Sequence, residues 1–414
     1  MHKSPSPSEK LTPIVAIAIG LSIMGDSLMY GILALEAEAL GLSLVAVGWL
    51  LSANRWIRLL SNTLAGRVFE RFGPRLPFLF STVLGFVTAF LYGAGLGFFV
   101  FLLARMGWGI AWSGLRQGGY EAVWLGDPQK KGKLMGTLWG IVRLGSALSV
   151  VIGGYLYDHY GYSISVGVIT FFTALAIPLA YLVKWPKQDI KESSPLSTTK
   201  TLFDFADWQA AFSTSIQRWL LCSALLNGML TGVIVPTVAV FIAYRLGNDQ
   251  ALFTSWVGIG TLTGLLLFTR WTSNLVFGPL IGAISDRVGQ TQTIVVLSLG
   301  AFAAVVAAII VPGLWMIGAL LCIFVTLAGL FVTLSASSSG IATQTEHPQR
   351  FVGVYTTISD IGAALGPIFA FNLVTIIGFE VIYVGLSIAL LLSVVRFRVV
   401  EKRGVKDAIE QRKL

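Results

Sequence analysis

The sequence predicts an all-α membrane protein, with twelve transmembrane helices arranged as two pseudo-symmetric six-helix bundles. Three observations lead there. Of 414 residues, 55% are hydrophobic and 12% charged, against roughly 25% charged in a soluble domain. The apolar residues fall in runs longer than the ~18 that separate a membrane span from a buried core helix. Short glycine, acid and arginine patterns in the first half of the chain recur in the second. A soluble enzyme of one or two ordinary domains is excluded.

The expected spans run in order. Residues 12–35 follow a short polar start, Met1 to Lys10. That run is long for a signal-peptide core and ends without a small-residue cleavage site, so it reads as a retained span. Residues 43–66, 75–97 and 98–121 follow, the last two divided by the glycine turn Gly93-Ala-Gly-Leu-Gly97. Residues 134–157 and 162–183 complete the first bundle, 1–183. Pro186, Pro195 and several Ser and Thr mark 184–215 as a cytoplasmic linker. The second bundle, 216–399, holds 218–244, 252–284, 291–311, 314–339, 351–376 and 379–399, and 400–414 is a cytoplasmic tail.

The formal charge of +9 does not point to nucleic acid, because of where it sits. With the amino terminus in the cytoplasm, most Lys and Arg fall in cytoplasmic loops and tails, with Arg245 the exception outside. The external loops carry Glu36, Glu38, Asp158, Asp249 and Glu380. This positive-inside pattern places both termini in the cytoplasm and the protein in the plasma membrane, or the inner membrane of a bacterium. Cys222 and Cys322 lie in apolar runs, and His2, His159 and His347 in loops. There is no P-loop. No metal, cofactor or catalytic set is expected, and the chain does not read as an enzyme.

The repeat is explicit. Gly66-Arg-Val-Phe-Glu70-Arg71-Phe-Gly73 returns as Gly282-Ala-Ile-Ser-Asp286-Arg287-Val-Gly289. Gly136-x6-Arg143-x-Gly145 returns as Gly353-x6-Asp360-x-Gly362 at nearly the same offset. Two independent matches at one spacing indicate a duplicated six-helix unit, the parallel repeat of a large transporter class.

These residues resemble the major facilitator superfamily. Its loop signature, roughly G-x-x-x-D-R-x-G-R-R, is matched by Gly66-x3-Glu70-Arg71-x-Gly73-Pro74-Arg75, with Glu for Asp and Pro74 for the first trailing base. Arg105-Met-Gly-Trp-Gly109 fits the fourth-helix motif. Gly145-x3-Ser149-Val150-x2-Gly153-Gly154 keeps the outer glycines of the fifth-helix antiporter motif and lacks its Gly-Pro, which the eleventh helix carries as Gly366-Pro367. Gly25-Asp26-Ser-Leu-Met-Tyr30-Gly31 is similar to the acidic first helix of proton-coupled drug exporters. The resemblance implies a twelve-helix transporter working by alternating access as a monomer. It leans toward antiport and export, with a small-molecule solute and a proton as coupling ion. It also implies a cytoplasmic gate of Gly66, Glu70, Arg71, Gly73 and Arg75 with Gly282, Asp286, Arg287 and Gly289.

Ionisable residues inside spans are costly and functional by default. Arg55, Arg58 and Asn62 share one face of the second helix, and Arg270 stands at matching depth in the eighth, each half with a tryptophan following (Trp56, Trp271). Two arginines at one depth form an anion clamp. Arg55 and Arg270 are therefore the expected solute contacts, with Arg58, Tyr30 and Trp112 in support. Asp26 and Arg105 lie near mid-membrane, where Asp26 either carries a proton or is a fixed partner of Arg105. Arg116, Glu121, Arg143 and Asp360 lie toward the cytoplasmic side and read as part of the gate. Four mid-depth arginines against one carboxylate favour an anionic or zwitterionic organic solute. The alternative is a proton-coupled multidrug exporter whose arginines are neutralised in ion pairs.

Overall fold

The computed structural model of the chain describes residues 7–125, 131–186, 205–246, 257–313, 315–345 and 348–411. Among them the regular elements are helices. They are α1 (Pro7–Ser22), α2 (Met24–Ile32), α3 (Leu44–Phe72), α4 (Arg75–Gly93), α5 (Phe98–Trp124), α6 (Lys131–Ala174), α7 (Ala176–Leu182) and α8 (Phe205–Ala211). Then come α9 (Ser215–Leu246), α10 (Ile259–Val288), α11 (Gln290–Ile310), α12 (Trp315–Ala342) and α13 (Pro348–Gln411).

Among the described residues, eight stretches are long and apolar enough to cross a membrane. Two of them, Lys133–Leu182 and Arg350–Arg403, run to 50 and 54 residues, more than twice the ~20 that one crossing needs. Each is interrupted at a glycine, Gly161 (φ 79°, ψ 178°) and Gly378 (φ 78°, ψ 167°). α3 and α10, of 29 and 30 residues, supply two more crossings and carry the arginines Arg55, Arg58 and Arg270. α1 and α2 act as one span, because the Ile23 and Ser27 amides bond back to Ile19 and Ile23 through their junction. Twelve crossings result, as the hydropathy pattern predicts.

The helix ends differ from expectation in several places. α3 runs six residues past 66, to its C-cap Gly73. The fifth and sixth spans are joined through Gly161 without an intervening loop. α13 continues beyond 399 into the polar tail. Within the expected linker α8 forms a short helix, and 187–204 lie outside the described residues. The Gly93–Gly97 turn is where the sequence puts it, with Gly95 at φ 63° and Gly97 at φ 83°.

Left-handed glycines reveal the duplication in the backbone itself. Gly73 and Gly289, Gly97 and Gly313, and Gly161 and Gly378 all have positive φ, and each pair stands at the spacing of the sequence repeat. At Gly161 and Gly378 φ is near +80° and ψ near 180°, a region essentially closed to residues with a Cβ. Gly161→Ala and Gly378→Ala are each expected to cost about 1–3 kcal/mol, read as a lower thermal unfolding midpoint in detergent. Gly136→Ala, where a Cβ meets open space, serves as the control.

Contacts divide the chain into two compact units. The first is Met1–Thr199 with Val238–Thr272, and the second is Lys200–Thr237 with Ser273–Leu414. This division runs through α9 and α10, whereas the 184–215 boundary follows the repeat.

In the first unit, α6 lies against α1 so closely that a Cβ on Gly145 would overlap the Gly20 carbonyl. Such small-residue contacts let helices approach where no hydrophobic force draws them together. One turn on, the Ser149 hydroxyl donates to the Met24 carbonyl at 2.5 Å. Around this seam Val15, Ile19, Phe78, Trp108, Trp112 and Leu115 are buried in one core. At the far end of the fifth span, the Asp158 carboxylate accepts from the amides of Gly260 (2.9 Å) and Thr261 (2.6 Å) and from the Thr261 hydroxyl (2.6 Å). These are first-turn amides of α10, and the residue before that helix, Gly258, has no side chain to cap them. Nearby, Tyr157 donates to Glu36 at 3.0 Å.

The second unit repeats the seam. A Cβ on Gly362 of α13 would overlap the Leu225 carbonyl of α9. Ser223 and Ser393 share a hydrogen bond of 2.9 Å, and Thr237 and Tyr383 one of 2.6 Å. A cavity of about 700 Å³ opens among Thr214, Gln290, Ser337, Gln344 and Glu401.

Candidate functional site

Charge inside the spans of the first unit separates into a compensated pair and an uncompensated group. The pair is Asp26 on α2 with Arg105 on α5, at 8% and 0% exposure. An Arg105 Nη donates to Asp26 Oδ1, Nε donates to the Leu50 carbonyl at 3.0 Å, and Asn54 Nδ2 donates to the same Asp26 oxygen at 3.1 Å. The Tyr30 and Tyr92 rings lie 5.5 and 5.8 Å from the guanidinium carbon. Of the two roles the sequence leaves open for Asp26, the geometry displays the partner of Arg105. Gly109, on the same helix, lets this pocket close, since a Cβ there would press on the Asn54 carbonyl.

The uncompensated group is Arg55 on α3, Arg143 on α6 and Arg270 on α10. Each stands eleven or twelve residues into its helix, roughly 16–18 Å along the axis at 1.5 Å per residue. Among the described residues none of the three forms an ion pair. The Arg143 guanidinium carbon lies 5.3 Å from the Trp271 ring centre and 5.9 Å from that of Trp139, and Arg270 lies 5.9 Å from Trp271. Cation–π contact holds these groups without neutralising them. Arg55 Nε, Arg270 Nε and Trp271 Nε1 are buried and have no hydrogen-bond partner among the described residues.

Of the expected solute contacts, the structure sets Arg270 at the Trp271 ring and Tyr30 against Arg105. It adds Arg143, which the sequence reading puts with the gate, and Trp139, which that reading passes over. The signal for Trp139 was present, since Trp139 and Arg143 are four apart on one helix face. Trp112 is placed differently from expectation. It is 8% exposed, packed between Trp108 and Trp139 at ring separations of 6.1 and 6.3 Å, so its bulk goes into the core. Arg58 lies one turn from Arg55 on α3.

The expected gate residues do not form a network within either unit among the described residues. Glu70, Arg71, Arg75, Arg287 and Asp360 are exposed. Arg71 lies over its neighbour Phe72 at 5.4 Å and Arg75 over Tyr181 at 5.8 Å. Glu121 accepts from Gln117 at 3.2 Å, Arg116 is half-buried, and the Asp286 side chain lies outside the described residues. Gly66 and Gly282 would each admit a Cβ into open space, while Gly73 and Gly289 are turn glycines with positive φ.

Twelve helical crossings, built as a repeat and carrying buried charge, define a many-spanning membrane transporter. The sequence profile of the Major Facilitator Superfamily matches residues 15–274 and 260–413, and the chain belongs to that superfamily. A comparison with curated proteins finds no match. Among solved structures, the chain is similar to the nucleoside transporter NupG, with a TM-score of 0.77 at 13% identity over 96% of this chain and 99% of that one. It is also similar to a bacterial homologue of the human lysosomal transporter Spinster, in an inward-facing and unoccupied conformation, with a TM-score of 0.72 at 14% identity over 96% of each chain. At such identities the likeness is one of fold.

Proposed function

We propose that this protein is a secondary active transporter that moves a small organic anion across the membrane by alternating access, with both termini in the cytoplasm. One observation carries the anion. Asp26, the carboxylate buried at mid-membrane, is taken up by Arg105, while Arg143 and Arg270 meet at the Trp271 ring, and among the described residues neither they nor Arg55 form an ion pair. Clustered cations inside a membrane span need a counter-charge, and a solute that supplies it is bound for that reason. The multidrug-exporter reading needs the arginines locked in ion pairs. Among the described residues that holds for Arg105.

The coupling ion is a proton, which Asp26 takes up in a state where its ion pair with Arg105 is open. Protonating Asp26 removes a negative charge beside the arginines and so favours an anion there. By linkage, a bound anion favours the proton equally. Proton and anion therefore travel together, in place of the exchange that the exporter-like first helix suggests.

Proteoliposomes offered a panel of organic anions and organic cations at set pH gradients test the reading. Saturable uptake confined to anions, and driven by an inwardly directed proton gradient, is the expected result. Cation uptake with no anion uptake would overturn it.

A further inference from the structure

Resting on the anion reading above, we infer that the solute carries at least two negative charges, and that Arg143 is the third arm that selects for them. The grounds are the number of cations and the way they are held. Arg55, Arg143 and Arg270 come from three different helices, and Arg143 and Arg270 meet at one ring, that of Trp271. A single carboxylate would leave two guanidinium charges unneutralised within the span, where repulsion is stronger than in bulk water. A dianion or trianion leaves one or none.

The aromatic residues set the geometry. Trp271 is shared by Arg143 and Arg270, and Trp139 takes a further contact with Arg143. Rings fix a planar guanidinium by its face and leave its edge N–H groups free to bond. Edge donors of this kind pair with planar, two-oxygen acceptors such as carboxylates, or with phosphate oxygens. Two of the arginines also hold back a buried Nε with no partner in the protein, and Trp271 Nε1 adds a neutral donor of the same kind. A site built for one carboxylate would not collect this many donors from α3, α6 and α10.

The test is a charge series on one ring. Benzoate, isophthalate and trimesate present one, two and three carboxylates on the same benzene core. Each is titrated at neutral pH and constant ionic strength into purified full-length protein in detergent, by calorimetry. The expected result is that affinity rises about tenfold or more with each added carboxylate. In Arg143→Gln the step from two to three carboxylates is expected to vanish, while Arg143→Lys, which keeps the charge, retains part of it. The wild-type series stands without either variant, so a variant that fails to fold leaves the test intact. Equal affinity for all three anions in the wild type would overturn the inference and leave the anion reading standing. Absence of binding by any of them, with aromatic amines binding instead, would remove both.

Discussion

Replacing Arg55 and Arg270 together by glutamine is expected to abolish anion uptake in proteoliposomes, and either change alone to reduce it about 10- to 100-fold. The estimate follows from charge-assisted hydrogen bonds, worth about 1.5–3 kcal/mol each. Glutamine keeps much of the length and some of the donors, so a loss of this size reports the charge and the fork rather than the volume. Arg55→Lys and Arg270→Lys should fall between, since an ammonium restores the charge without the planar pair of donors. Uptake is compared at equal protein incorporation. Undiminished uptake in the double variant would dismiss these side chains as solute contacts.

The second large effect concerns the buried pair. In Asp26→Asn, Arg105 keeps its charge at 0% exposure with no counter-ion, and removing one partner of a buried pair costs about 3–5 kcal/mol. Arg105→Gln strands the carboxylate and should cost a similar amount. The double variant Asp26→Asn with Arg105→Gln is expected to recover a large part of the loss, because the stranded charge is gone. Thermal unfolding in detergent measures all three. A double variant no more stable than either single one would show that the pair is not energetically coupled. Asp26→Asn also bears on coupling. Gradient-driven accumulation should disappear while exchange of anion for anion persists, and unchanged accumulation would rule out Asp26 as the proton carrier.

The spans were legible because a bilayer leaves few ways to satisfy a backbone. Apolar run length therefore located nearly every helix, including the weakly marked turn at Gly93–Gly97. The turn glycines Gly161 and Gly378 were not read as repeat equivalents, since a glycine in sequence does not announce its φ. The proposed clamp of Arg55 and Arg270 rests on depth alone, since axial position follows from residue count. Arg143 could not be placed that way. Its match to Asp360 in the repeat suggested a charge-reversed gate, and which face of α6 turns toward α3 and α10 depends on packing that no single helix encodes. Asp158 was legible only as one more acid in an external loop, because its partners are backbone amides of a segment about a hundred residues away.

That last contact gives the first turn of α10 an unusual dependence. A helix ordinarily carries its own starting residue, so its length is a local property. Here the amides of Gly260 and Thr261 are satisfied by a side chain borrowed from the end of another span. Should the two spans part at this point, those amides would face water or unwind, and the carboxylate would lose all three donors in one step. Separation would therefore be abrupt rather than gradual, and the helix that bears Arg270 would shorten at its beginning as it moved.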